Sequence, residues 1–438
     1  MSEREARLSV DPARMQRIMK DRLTRRSFLR GAGTGAAGIS LAAILAACGE
    51  DGGGGGGTGD GGSTMDPAEI FSGQDPEQRV EFANWPLYID KAKDKDGNVY
   101  NPSLRQFTEE TGIEVNYQED INSNEEFFAK IQPQLAAGDS IGYDIVVITN
   151  GRYLKALTDN GWVLPLDPAK RPNFDANAAA WAKDPTFDPG NAYTMAWQSG
   201  ITGLAVNRDL VTGEITKMED LLDSSKLPSD SVGMIPGDAP EWVMINMGLD
   251  PVTSGPEEWQ QAADWLAELK AGPTFRKFYD QNYTSDMTEG NVAVTMAWSG
   301  DVLYYAQWAG YDNLEFVFPE GGALLWIDNQ MIPATAEHPV SAYTLMDYVY
   351  KPDVATMITE WVLYMSPVSE TQELILADAE KAEDQGYKGY ANKLYLTGRS
   401  PYLYPSDEFL NKTSFGFNDW NDDTAEEWDA IFNPVLYG

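Results

Sequence analysis

Tyr143-Asp144-Ile145-Val146-Val147-Ile148 is the stretch on which the fold turns. Its apolar run has no polar interruption, as in a strand buried on both faces. Working back toward the amino terminus, Ser123-x-x-Glu126 stands ahead of Phe127 and Phe128. That is a capping box, and it opens a helix to about Ala137. Before it, residues 113–117 alternate as a strand, and residues 102–111 (PSLRQFTEET) read as a helix closed by Gly112. Residues 79–83 alternate until Asn84-Trp85-Pro86 stops them, leaving an aromatic at the exit of a strand. Strand, helix, strand, helix, strand with short connections predicts an α/β fold on a mainly parallel sheet.

Toward the carboxyl terminus a second α/β stretch begins near Thr202. Residues 203–207 and 232–236 are strand-like, and a helix is expected from Pro240. Residues 257–269 carry apolar side chains at helical spacing (Trp259, Ala262, Trp265, Leu266, Leu269), and residues 292–298 return to a strand. No short internal repeat is visible. The pattern predicts two α/β lobes crossed more than once by the chain.

Composition removes several functions. The 438 residues include 32 Lys+Arg against 68 Asp+Glu, a net charge of −36, which repels nucleic-acid phosphates. One Cys excludes a disulfide framework, a Cys-based zinc site and an iron–sulfur cluster. One His, His338, leaves little room for a metal site built on His or for a His-dependent triad. The 42% hydrophobic share, with 13 Trp, 21 Tyr and 16 Phe, supplies a large core.

The basic residues crowd into the first thirty positions, which hold nine Lys+Arg and four Asp+Glu and end in Thr24-Arg25-Arg26-Ser27-Phe28-Leu29-Arg30, a twin-arginine pattern. Residues 31–47 are weakly apolar and too short for a comfortable membrane span. They close on Leu45-Ala46-Ala47-Cys48-Gly49, which looks like a bacterial lipoprotein cleavage box, with the Cys48 thiol as the atom that takes the lipid. Gly33-Thr34-Gly35-Ala36-Ala37-Gly38 matches a dinucleotide fingerprint, but no strand precedes it and it lies inside the signal, so the match is discarded. Residues 49–64 are mostly Gly, a tether of ~16 residues that holds a folded body roughly 20–25 Å from an anchor. Removal of residues 1–47 takes the net charge from −36 to −41, which suits an exported, solvated protein and cationic partners.

Several residues in the body are candidates for chemistry. Asp94-Lys95-Asp96-Gly97-Asn98 is loosely like a calcium loop, yet Ala92 and Ser103 would stand where its first and twelfth ligands belong, so an insertion turn is expected and no metal. Asp238-Ala239-Pro240-Glu241 has what a helix N-terminus wants, and read alone it is a cap. In Trp326-Ile327-Asp328 a strand puts Trp326 and Asp328 on one face, and a carboxylate beside an indole holds an ammonium group. Trp298 ends a strand and suits either core or pocket. Trp85 and Tyr88 follow a strand's carboxyl end, where open α/β sheets place ligands.

Taken together, these residues resemble the spermidine/putrescine-binding proteins of bacterial ABC importers, over roughly residues 80–367. The landmarks are Asn84-Trp85 with Tyr88, Phe107-Thr108-Glu109-Glu110-Thr111-Gly112-Ile113, Asn122-Ser123-Asn124-Glu125, Tyr143-Asp144-Ile145-Val146-Val147 and Phe187-Asp188-Pro189. The Asp238/Glu241 pair, Met296-Ala297-Trp298-Ser299-Gly300, Pro319-Glu320-Gly321-Gly322, Trp326-Ile327-Asp328 and Tyr364-Met365-Ser366-Pro367 complete them. The specificity lies in their order and spacing. The resemblance implies a type II periplasmic-binding fold, two α/β lobes hinged by chain crossovers and closing on a ligand. It implies an aromatic box of Trp85, Tyr88, Trp298, Trp326 and Tyr364 around a polyamine, with Asp238, Glu241 and Asp328 as ammonium-binding carboxylates. Thr149 fits the Ser/Thr that the family places after its buried strand.

The expected organisation is a signal peptide over residues 1–47 and a lipidated Cys with its tether over 48–76. The first lobe is then 77–197 with 326–370, and the second 198–325 with 371–438. The expected role is a monomeric, lipid-anchored, exported binding protein without catalysis or cofactor. It would deliver spermidine or putrescine to the permease subunits of an ABC importer. Two departures from the family pattern hold alternatives open. Asn150-Gly151-Arg152 precedes Tyr153, so either one inserted residue shifts the family's aromatic or an Arg lies near the pocket and favours another amine or a zwitterion. The family's late glutamine has no match in residues 415–423, where Asn418 and Asn421 are nearest in kind. An exported hydrolase using paired carboxylates is the distant alternative.

Overall fold

A computed structural model describes residues 67–71, 74–414 and 422–438. The expectations for Arg25, Arg26, Cys48 and the glycine tether, and for Asn418 and Asn421, fall outside the described residues. Among the described residues no helix is long and apolar enough to cross a membrane.

The alternation read from the sequence forms. After β1 (Arg79–Asn84) a small hairpin of β2 (Ala92–Lys93) and β3 (Val99–Tyr100) precedes the helix Pro102–Thr111, which ends on Gly112 in the left-handed conformation (φ 77°). The hairpin turn is the stretch 94–98, expected as an insertion turn despite its loose likeness to a calcium loop. Asp94 Oδ1 accepts from the backbone N–H groups of Asp96 and Asn98, both at 2.9 Å, so this carboxylate is engaged in closing the turn. Next come β4 (Glu114–Glu119), the helix Asn124–Ala137 and β5 (Ile145–Thr149). Ser123 Oγ caps that helix by accepting from Glu126 N at 3.0 Å. β4 and β5 both run parallel to β1.

The second half contributes β6 (Met195–Asn207), β7 (Val232–Met234), β8 (Phe275–Phe278), β9 (Val294–Trp298), β10 (Leu314–Val317), β11 (Ala323–Met331) and β12 (Thr413–Ser414). β7 is parallel to both β8 and β9. The main path through the sheet runs β4-β1-β5-β11-β6-β9-β7-β8. The two parallel flanks are joined in the middle by β6 and β11, antiparallel to each other and to the flank strands they meet. A chain that leaves one half and returns must run both ways through the middle.

Two main hydrophobic clusters sit on either side of that middle. One draws on residues 71–197, Trp326 and 331–368; the other draws on 201–325, Leu363, Met365 and 375–436. A third crossing lies beside β6, where Ser199 and Met365 exchange both backbone hydrogen bonds, at 3.0 and 2.9 Å. Leu363 turns the chain toward it. It ends the helix Pro352–Val362 at φ 63°, a left-handed conformation that a residue with a branched side chain seldom takes.

β6 is longer than the sequence suggests. A strand was expected only from about residue 203, but it starts at Met195, and all of its positions are buried. Gln198, Ser199 and Gly200 break the apolar pattern there because the strand crosses between the two clusters. Ser199 Oγ is satisfied by donating to Trp326 O at 2.6 Å.

Candidate functional site

Ligands of open α/β sheets bind beyond the carboxyl ends of parallel strands, and here those ends converge from both flanks. β1 delivers Trp85 and Tyr88, β5 delivers Thr149, β7 delivers Asp238, and β9 delivers Trp298. β11 presents Trp326 and Asp328, and the third crossing presents Tyr364. All eight line one open cleft of about 880 Å³, counting its mouth. Trp326 and Asp328 share a face as strand alternation requires, and Ile327 packs on the opposite side with Ala182 and Ala196.

Asp328 is the most buried of the cleft carboxylates. It stands opposite Thr149 in the β5–β11 register and is only 5% exposed. Thr149 Oγ1 donates to Asp328 Oδ1 at 2.6 Å, and Thr149 Oγ1 in turn accepts from Asn124 Nδ2 at 2.8 Å. Burial pushes the Asp328 carboxyl up to about 6; the hydroxyls of Thr149 and Tyr88 pull it back, and the Asp238 charge pushes it further up. The Tyr88 hydroxyl is itself buried without a hydrogen bond of ordinary length, so it is a polar atom at the cleft with capacity to spare. Burial and the Asp328 charge raise its pKa well above the usual tyrosine value.

Asp238 faces the cleft from the other flank. It sits at the N-cap position of the helix Ala239–Asn246, as the sequence suggested, but makes no side-chain cap bond. Its Oδ2 instead accepts from Thr202 Oγ1 at 2.5 Å and from Trp298 Nε1 at 2.9 Å. Burial raises its pKa, and those two donors oppose the rise. The indole N–H of Trp298 is thus committed, which fixes the ring. Glu241, in the first turn of the same helix, is half-buried and outside the cleft lining.

The rings are held just as firmly. Trp85 Nε1 donates to Val147 O at 3.0 Å, and Trp326 Nε1 to Thr202 Oγ1 at 3.2 Å. Tyr364 meets Tyr88 edge-on and Trp326 at a tilt, each with centroids 5.4 Å apart. Two glycines make room for them. A Cβ on Gly200 would lie 2.3 Å from the Trp326 ring, and one on Gly300 would lie 2.6 Å from the Tyr364 ring.

The sequence reading missed part of the lining. Asp301, three residues past Trp298, is a third cleft carboxylate, and Tyr283 Oη donates to its Oδ2 at 2.7 Å. Its place one turn beyond a strand-end Trp was the available signal. Asn124 was visible as part of a helix start and of a family landmark, but not as a site residue. Gln281, Thr284, Tyr304 and Tyr305 also line the cleft and carried no signal of their own. Arg152 does not line it; the guanidinium turns to Asp429 and to the hydroxyl of Tyr153.

Among the described residues of the lining, three are carboxylates and none is Lys, Arg or His. Rigid rings and uncompensated negative charge suit an organic cation with apolar surface. The fold and cleft define a two-lobed solute-binding protein. A family model described as bacterial extracellular solute-binding protein matches residues 103–388, and the chain belongs to that family. The spermidine/putrescine-binding periplasmic protein of Salmonella typhimurium is 28% identical over 349 residues, 79% of this chain and 87% of that one. The putrescine-binding periplasmic protein PotF of Escherichia coli is 30% identical over 328 residues, 70% of this chain and 82% of that one. The same fold occurs in the spermidine/putrescine ABC transporter substrate-binding protein PotD from Streptococcus pneumoniae, with a TM-score of 0.64 and 24% identity, covering 82% of this chain and 98% of that one. The fold is of the type II periplasmic-binding kind.

Proposed function

We propose that this protein captures a polyamine, spermidine or putrescine, in the cleft and delivers it to the permease subunits of an ABC importer. The observation that carries the reading is the lining itself: three carboxylates, a set of immobilised rings, and no basic side chain among the described residues. The names of the Salmonella and Escherichia relatives support the same solute class. In this reading Asp328 and Asp238 fix ammonium groups, with Thr149 orienting Asp328. Trp85, Tyr88, Trp298, Trp326 and Tyr364 cover the methylenes, each desolvated cation–π contact contributing up to roughly 2 kcal/mol. Glu241 lies outside the lining and is left out of the set. The alternative of a zwitterionic solute rested on a cleft-facing Arg152, and that side chain is engaged elsewhere.

The two lobes are residues 77–197 with 326–370 and 198–325 with 371–438, a division supported by the two core clusters. The protein acts as a monomer, without covalent chemistry or cofactor. A twin-arginine signal exports it, and Cys48 anchors it by lipid at the periplasmic or outer face of the membrane. Isothermal titration of the purified protein with spermidine and with putrescine tests the solute. Saturable heat with either amine is expected, and no heat with both sinks the reading.

A further inference from the structure

The helix Asp422–Leu436 is anchored in the second core. Trp428, Phe432 and Leu436 are buried there, Trp428 meets Trp259 edge-on at 5.4 Å, and Lys270 Nζ donates to the backbone oxygens of Val435 and Gly438 at 2.7 and 2.8 Å. From this fixed base the helix reaches the other side of the cleft. Arg152 Nη1 donates to Asp429 Oδ1 at 2.8 Å, while its Nη2 donates to Tyr153 Oη at 2.7 Å. Near the chain's end Tyr437 Oη donates to Glu125 Oε2 at 3.4 Å.

Both receiving residues adjoin the cleft. Glu125 follows Asn124, and Arg152 lies three residues after Thr149. Asn124 and Thr149 line the cleft and bond each other twice, at 2.8 and 3.1 Å. A shift of either residue is therefore felt at the ion pair.

We propose that Arg152 and Asp429 form a latch between the lobes that sets how long a bound solute stays. The proposal rests on the cleft being the solute site. Two lobes that close on a ligand separate again for its release, and a pair that spans them must break in that step. The partners are 26% and 39% exposed, so the effect is modest and screened by salt.

The test uses the full chain, spermidine and putrescine, and stopped-flow tryptophan fluorescence. Arg152→Gln and Asp429→Asn should each speed release about two- to fivefold, with association little changed. The double variant should release no faster than the faster single one, because both substitutions remove the same pair. Unchanged release, or single effects that multiply in the double variant, overturns the latch while leaving the solute reading intact. Should wild type bind neither amine, the solute reading fails and small-angle scattering of the empty protein judges the latch alone. A larger radius of gyration for Asp429→Asn than for wild type supports it, and identical curves overturn it.

Discussion

The two ends of strand β5 each meet a buried carboxylate, and the two are used in opposite ways. Asp144, just before the strand, is 1% exposed. It accepts from the backbone N–H groups of Glu81, Glu337 and His338 at 2.8, 2.9 and 2.8 Å, and its Oδ2 lies 2.9 Å from His338 Nδ1. Those bonds tie β1 and the segment before the helix Pro339–Tyr348 to the strand. Asp328, across from Thr149 at the other end, is nearly as buried but has the Thr149 hydroxyl as its short side-chain bond. A carboxylate in low dielectric needs several donors to stay charged at little cost. At one end of β5 the fold supplies them. At the other the Thr149 and Tyr88 hydroxyls meet the need only in part, beside rings and open space, and in the proposed reading an ammonium ligand meets the rest.

The largest expected effect comes from breaking the second end. In Asp328→Asn the ammonium loses its charged partner, which costs about 2–5 kcal/mol, a loss of roughly 30- to several-thousand-fold in spermidine or putrescine affinity. Stability of the empty protein at neutral pH should not fall. Titration calorimetry and urea unfolding check the two halves. Equal binding by wild type and variant would remove Asp328 from the site.

The next effect is on pH. The Asp328 carboxyl is raised in the folded protein from 3.8 to about 6, so between those values the native state holds a proton that the unfolded chain has released. Unfolding free energy therefore falls as pH rises through this window, by about 3 kcal/mol from this group alone. Relative to Asp328→Asn, empty wild type should be more stable at pH 4 than at pH 7, by that order. Amine affinity runs the other way, falling up to about tenfold per unit as pH drops below about 6, because binding must then expel the proton. Urea midpoints of the two proteins across pH decide it, and parallel curves would place the Asp328 titration elsewhere.

The two ends of β5 were not equally legible in the sequence. The strand, its flanking helices and the capping box were plain, because each depends on residues close in sequence. Trp326 and Asp328 on one face followed from strand alternation alone. The resemblance to polyamine-binding proteins was what gathered Trp85, Tyr88, Asp238 and Tyr364 into one cleft, since they come from three separate segments. Local pattern read Asp238 as a cap. Only the fold brings Thr202 and Trp298 close enough to take its oxygen away from the helix. Asp301, Gln281 and Thr284 stayed hidden because a polar residue at a helix start looks the same whether it faces solvent or a pocket. The reach of β6 back to Met195 was masked by Gln198, Ser199 and Gly200, residues placed for a crossing between lobes.

Breaking the first end should mirror the Asp328 result. Asp144→Asn keeps the shape but weakens bonds to three backbone donors and to His338, a loss of about 1.5–3 kcal/mol in unfolding free energy. Amine affinity, measured well below the unfolding midpoint, should stay within about twofold. A large affinity loss with unchanged stability would show that both ends of β5 serve the site.

The smallest effect, and the one that sharpens the contrast most, is Thr149→Val. The substitution keeps the side chain's volume and branching, so β5 and its register with β11 should persist. It removes the hydroxyl that donates to Asp328 and accepts from Asn124. Losing that donor takes support from the charged form, so the Asp328 carboxyl should rise further above its ordinary value. One such bond to a charged group contributes about 1.5–3 kcal/mol at most, but an ammonium ligand restores part of it when bound. A loss of about three- to thirtyfold in affinity near pH 7 follows. The deficit should shrink at pH 8, where the raised carboxyl is ionised again, and widen at pH 6. A merely structural Thr149 would give a deficit independent of pH, and titrations at three pH values distinguish the two. The pH-dependent result would mean that the hydroxyl at the exit of β5 tunes the charge that the cleft presents to its ligand.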